Sequence, residues 1–233
     1  MKKSYIWGGA IILLVLILLL FVVKASWQKS PDKANTDLGT AVKADSFAPT
    51  NSPTISADEK IVGSISAPVK ILVYEDYSNS FSADAADSIK KLETDFGDKL
   101  VIAFRPYAVR EKPASIEAAM AVECAASQGK WPEMREAIFK DVRNSSLNTD
   151  QIKTDATTIG LDQDKFSKCL TDIEKQGIML QVATDAKQFS VYGAPTIFVN
   201  NELVVGARPY EDYLDESGAK VEGLKSLVAR QIK

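Results

Sequence analysis

The apolar and polar positions of this chain fall into three regimes. An almost continuous apolar run extends from Tyr5 to Val23, framed by Lys2, Lys3 and Lys24. A polar stretch rich in Ser, Thr, Asn, Asp, Lys and Pro follows, with few large apolar residues before about Asp58. Beyond it, short β-prone runs alternate with segments of helical period. Val69-Lys70-Ile71-Leu72-Val73-Tyr74 predicts a buried strand. Phe81 to Phe96 predicts an amphipathic helix, with Ile89, Leu92 and Phe96 at helical spacing and Gly97 as its stop. Leu100 to Arg105 predicts a second strand, and a β-α-β order with one helix between implies a parallel, right-handed crossover.

Four helical segments come next. They cover about Ser115 to Gln128 after Pro113, about Trp131 to Val142, about Thr149 to Ile159, and a longer one capped by Asp162 that runs to Phe189 with a break at Gly177. Pro195 to Val199 and Glu202 to Val205 flank Asn200-Asn201, a hairpin signal, and Val221 to Ile232 predicts a last amphipathic helix. The domain plan is an anchor over 1–24, a flexible linker over 25–58, and an α/β domain over 59–233 with a helical insertion at about 113–189.

At about 1.5 Å per residue, the run from Tyr5 to Val23 matches a hydrocarbon core of about 30 Å. A cleavable signal is the alternative, but its apolar region would be shorter, and Val22-Val23-Lys24-Ala25-Ser26 is a poor cleavage site. We therefore expect an uncleaved transmembrane helix. A very short N-terminal tail with Lys2 and Lys3 favours the cytoplasm for the N-terminus and an extracytoplasmic domain, although Lys24, Lys29 and Lys33 weaken the charge asymmetry.

Composition narrows the chemistry. The formal charge of −3 offers no electrostatic footprint for nucleic acid. There is no histidine, which excludes Ser-His-Asp triads and HExxH zinc sites. The two cysteines, Cys124 and Cys169, are too far apart for a CxxC motif and too few for a cysteine-rich metal site, so neither a metal nor a cofactor is expected.

Three stretches carry a resemblance: Tyr74-Glu75-Asp76-Tyr77-Ser78-Asn79-Ser80-Phe81-Ser82, Val191-Tyr192-Gly193-Ala194-Pro195-Thr196-Ile197-Phe198-Val199-Asn200, and Ala121-Val122-Glu123-Cys124-Ala125 with Gly129-Lys130-Trp131 and the later Gly160-Leu161-Asp162 to Lys168-Cys169-Leu170. Together they resemble the DsbA-like branch of the thioredoxin superfamily over about Ile61 to Lys233. The resemblance implies a thioredoxin-like fold with an inserted helical subdomain, preceded here by the N-terminal transmembrane helix. It also implies a cis peptide bond before Pro195, beside which the family pairs an extended substrate peptide. The family's Cys-Pro-aromatic-Cys maps onto Asn79, Ser80, Phe81 and Ser82. Neither Asn79 nor Ser82 can form a mixed disulfide, so thiol–disulfide exchange is lost at this site.

Other roles follow for the same residues. A serine near this helix start hydrogen-bonds a bound thiolate in kappa-type glutathione transferases, which makes Ser80 or Ser82 a candidate for a serine-assisted transferase. One of Glu75 and Asp76 is expected as the buried acid common below such sites, and the other as solvated. Cys124 and Cys169 both lie on apolar helix faces. In an oxidising compartment they can join as one disulfide worth about 3–4 kcal/mol; otherwise they are separate buried thiols. The expected partners are the membrane, through the N-terminal helix, and an extended peptide or envelope protein near Ala194 and Pro195.

Overall fold

A computed structural model describes residues 51–232. The expected anchor and most of the expected linker lie outside the described residues. Among those described, no helix is long and apolar enough to cross a membrane.

Five strands form one sheet in the order β1-β3-β2-β4-β5. They are β1 (Ile61–Gly63), β2 (Val69–Glu75), β3 (Leu100–Pro106), β4 (Thr196–Val199) and β5 (Glu202–Val205). β2 and β3 are parallel, joined by helix α1 (Ser80–Phe96), and the other pairings are antiparallel. β1 escapes sequence reading because three residues show no period. It ends at Gly63, where φ is +89° and a Cβ would lie 2.1 Å from the Leu100 carbonyl oxygen, so only glycine fits.

The strands alternate cleanly between two covered faces. Val69, Ile71 and Val73 pack with Ile89 and Leu92 of α1 and Leu227 of the last helix, α7 (Leu224–Gln231). Leu72, Tyr74 and Phe198 point the other way, against Ala186 and Val191. A small hairpin, β6 (Tyr213–Leu214) with β7 (Lys220–Val221), occupies the connection from β5 to α7. Val221 is therefore a strand residue, and α7 starts three residues later than the apolar period suggests.

The insertion contains α2 (Pro113–Ala126), α3 (Trp131–Arg143), α4 (Thr149–Thr158), α5 (Gln163–Leu170) and α6 (Ile173–Asp185). The expected long helix from Asp162 is thus two helices. It breaks at Asp172, whose carboxylate accepts the Lys175 amide and starts α6, while Gly177 stays helical. A second core of Met120, Cys124, Met134, Phe139 and Phe166 fills this subdomain and reaches Tyr77 and Ala83 beside the sheet.

The end of the expected linker belongs to the domain. Arg105 donates to the Thr54 carbonyl at 2.7 Å and to both Glu59 carboxylate oxygens at 2.7 and 2.8 Å, and Ile55 packs against the Leu72–Phe198 face. The polar composition of 51–58 hides this docking, because Arg105 lies about 50 residues downstream.

Candidate functional site

Register fixes which loops meet. Tyr74 pairs with Thr196, so the C-terminal end of β2 and the N-terminal end of β4 share one end of the sheet. The turn Asp76–Asn79 and the turn Gly193–Pro195 extend from that end. The Ala194–Pro195 peptide bond is cis. The Thr196 hydroxyl donates to the Gly193 carbonyl at 2.8 Å, and the Gly206 amide donates to the Pro195 carbonyl at 2.9 Å, which clamps the turn from both sides. The amides of Tyr192, Gly193 and Ala194 have no backbone partner among the described residues.

Asn79 is the N-cap of α1. Its backbone is extended (φ −109°, ψ 130°), and its side-chain oxygen accepts the Phe81 amide at 2.8 Å. Ser80 is exposed, and Phe81 is 63% exposed despite its size. Ser82 is fully buried, and its hydroxyl oxygen accepts the Asp76 amide at 3.2 Å. The four residues therefore differ in what they can reach. Asn79, Ser80 and Phe81 face outward, while Ser82 stitches the helix back onto the strand end. A ligand at the surface cannot reach the Ser82 hydroxyl, which leaves Ser80 as the serine available to one.

Both acids of the turn are buried, which corrects the expectation of one solvated carboxylate. Glu75 points toward the insertion and meets Arg135 of α3 in a forked pair, at 2.8 Å to Oε2 and 2.5 Å to Oε1. The guanidinium also lies over Phe104 (4.4 Å) and Phe139 (5.0 Å). Burial alone would pull Arg135 down, but the Glu75 charge and hydrogen bonds outweigh it and hold the guanidinium above its usual value. Asp76 points elsewhere. Its Oδ1 accepts the Ser78 amide (3.0 Å), the Ser78 hydroxyl (2.8 Å) and the buried Ser115 hydroxyl of α2 (2.8 Å). Ser115 accepts the Val109 amide in turn, at 3.0 Å.

Sequence reading missed Arg135 and Ser115. A signal existed for the first: Arg135 stands one turn before Phe139, an arginine beside an otherwise apolar helix face. Between Glu75 and Arg135, burial selects an ion pair because an unpaired carboxylate there would be prohibitively costly. Tyr77 shares this environment. It is fully buried with no partner for its hydroxyl among the described residues, and burial, reinforced by the Glu75 charge, pushes the phenol far above its ordinary value.

Cys124 of α2 and Cys169 of α5 form a disulfide, which leaves no free thiol among the described residues. It lies in the insertion core, the same apolar cluster that reaches Tyr77 of the Asp76–Asn79 turn.

Comparisons with known proteins agree with this geometry. A thioredoxin family model (Thioredoxin_4) matches residues 50–215. Solved structures of similar fold include a thioredoxin-like oxidoreductase from Silicibacter pomeroyi (TM-score 0.58, 19% identity, 75% of this chain and 92% of that one). A second is alpha-DsbA1 from Wolbachia pipientis (0.58, 16%, 76% and 90%). A third is a periplasmic thioredoxin-like protein from Salmonella enterica serovar Typhimurium (0.59, 17%, 79% and 93%). Among curated proteins, a Mycobacterium sequence named Na(+)/H(+) antiporter NhaA 1 is 32% identical over 148 residues, covering 62% of this chain. The chain spans about a quarter of the length of the curated relatives it matches.

Proposed function

This chain belongs to the thioredoxin family, as the match over residues 50–215 shows, and from that premise we propose a membrane-anchored, extracytoplasmic DsbA-like domain that has lost thiol–disulfide exchange and binds an extended peptide or envelope-protein segment beside Pro195. One observation carries the reading. The cis-proline turn stands with three amides that have no backbone partner among the described residues, next to a helix start that holds asparagine and serine but no cysteine.

Chemistry supports the loss of redox function. Asn79 and Ser82 stand at the two positions of the family's cysteines, and an amide or a buried hydroxyl cannot attack a disulfide sulfur. The acid below the site has both of its oxygens engaged by Arg135 in a buried pair. Binding has separate support. An extended segment laid along Tyr192–Ala194 would gain main-chain hydrogen bonds, in the manner of strand addition. Phe81 and Tyr192, 63% and 75% exposed, are large apolar side chains open to contact with such a segment. Anchoring rests on the apolar run from Tyr5 to Val23.

Photocrosslinking from position 79 in intact membranes tests the binding role: a discrete adduct that weakens on Gly193→Pro is expected, and unchanged labelling in that variant would count against the groove. An insulin-reduction assay tests the redox part. Wild-type insulin reduction above the uncatalysed rate would overturn it.

A further inference from the structure

Two carboxyl groups outside the site face each other at the corner between α3 and α4. Asp141, in the last turn of α3, is 6% exposed, and Asp155 of α4 lies within hydrogen-bonding reach of it. Each has one oxygen already engaged. Asp141 Oδ1 accepts the Ser146 hydroxyl at 3.1 Å, and Asp155 Oδ1 accepts the Gln151 amide group at 3.0 Å. The two remaining oxygens, both Oδ2, are buried and have no donor among the described residues. Ionised, the pair would leave both of these oxygens buried without a donor, and a single proton carried by Asp155 supplies one.

We propose that Asp141 and Asp155 share one proton, and that this proton makes the α3–α4 corner a pH-sensitive wall beside the candidate site. The corner loop connects the two places directly. Asp141 fixes the loop through its side chain and through its carbonyl, which accepts the Ser146 amide at 2.9 Å. Ser145 and Leu147 of the loop then line a hollow together with Ser78, Lys112, Pro113 and Val142. Ser145 holds a left-handed backbone (φ +56°), so the loop keeps a conformation that its anchor must maintain.

The surroundings favour the protonated form. Burial is the main influence on Asp155, followed by the hydrogen bond and charge of Asp141; together they raise its carboxyl to about 6. The Gln151 hydrogen bond, and then the charge of Lys140 on α3, oppose them more weakly. On the α2 side, Glu117 is occupied by the Thr149 hydroxyl at 3.0 Å. On the α5 side, Asp162 pairs with its own Lys165, and Phe166 fills the shared core. Because the folded pKa lies above the unfolded one, the stabilisation is complete below about 4 and is lost as the pH rises through about 6. The corner is thus closed in mild acid and loosened at neutral pH, whether or not a peptide occupies the groove.

Hydrogen exchange of the full-length protein, read by mass spectrometry from about pH 5 to about pH 7.5 and corrected for intrinsic rates, tests this. Protection over residues 140–158 is expected to fall about tenfold across that range in the wild type. Asp155→Asn, whose amide donates permanently to Asp141, should be flat, and the exposed-end control Asp150→Asn should keep the fall. A flat wild type, or an unaltered fall in Asp155→Asn, overturns the proposal. So does full protection at neutral pH on adding calcium, which would make the pair a cation site. Should Asp155→Asn fail to fold, carboxyl NMR of the wild type decides: one aspartate must titrate near 6, and normal values for all of them refute the shared proton.

Discussion

Arg135 reaches across from the inserted helix α3 to fork onto Glu75, the last residue of β2 and the base of the candidate site. Glu75 is 0% exposed, so the pair couples the insertion to the sheet through a charge that water cannot screen. Removing one partner leaves the other buried and uncompensated. Arg135→Met should cost about 3–5 kcal/mol in urea unfolding, while Glu75→Gln/Arg135→Met should recover a large part of that loss. A single-variant cost near zero would mean that Glu75 is hydrated or protonated in the folded protein.

Tyr77 offers the opposite case, a buried polar atom whose removal helps. Its ring packs 5.6 Å from that of Phe139, but its hydroxyl has no partner among the described residues. Tyr77→Phe keeps the packing and removes the stranded group, so it should stabilise the fold by about 1 kcal/mol. The pH dependence has a defined sign. Folded Tyr77 keeps its proton where an unfolded tyrosine loses it, so its contribution is complete below about 10 and declines at higher pH. The variant should therefore show a shallower loss of thermal stability on the alkaline side, measured as Tm against pH. An identical alkaline limb would show that Tyr77 is not the group responsible.

What the sequence disclosed and what it hid separate by range. The β2–α1 junction was legible because an apolar run, a polar turn and a helical period adjoin one another, although the cap at Asn79 emerged only from the fold. The Asn200–Asn201 hairpin was legible for the same local reason, with Asn200 at φ +52°. Glu75–Arg135 and Asp76–Ser115 were not, because their partners lie 60 and 39 residues away and no local pattern marks them. The break at Asp172 was hidden differently: an aspartate suits an exposed helix position as well as an N-cap, and only the fold of the chain there selects the cap. Residues 51–58 read as tether because their composition is polar, although Arg105 holds the Thr54 carbonyl and Glu59 accepts the Ser56 amide.

The disulfide should be worth more to the insertion than to the site. Cys124 and Cys169 are separated by 45 residues, and closing a loop of that size restricts the unfolded chain by about 4 kcal/mol in the entropic account. Cys124→Ala/Cys169→Ala, or the reduced wild type, should unfold at correspondingly lower urea concentration. Crosslinking from position 79 under native conditions should persist, because the bridge ties α2 to α5 and neither of its cysteines lies in a turn of the site. Loss of the adduct in a variant that remains folded would show that the insertion positions the groove.

Asn79 permits a direct test of what the helix start retains. The native disulfide occupies both cysteines of the chain, so Asn79→Cys introduces the one free thiol and any thiol titration reports on it alone. At the N-cap of a 17-residue helix, that sulfur would face amides without intrahelical partners, an arrangement that favours an anion. The neighbouring Asp76 carboxylate opposes this, but its Oδ1 is already compensated by three hydrogen-bond donors, from Ser78 and Ser115. The thiol is therefore expected to titrate below its ordinary value of about 8.5, with alkylation by iodoacetamide reaching its half-maximal rate at correspondingly lower pH. Such a result would mean that the scaffold still stabilises a thiolate and that function was lost with the side chains. A thiol at or above the ordinary value would place the change deeper, in the electrostatics of Glu75, Asp76 and Arg135, and would predict that Asn79→Cys/Ser82→Cys fails to restore insulin reduction.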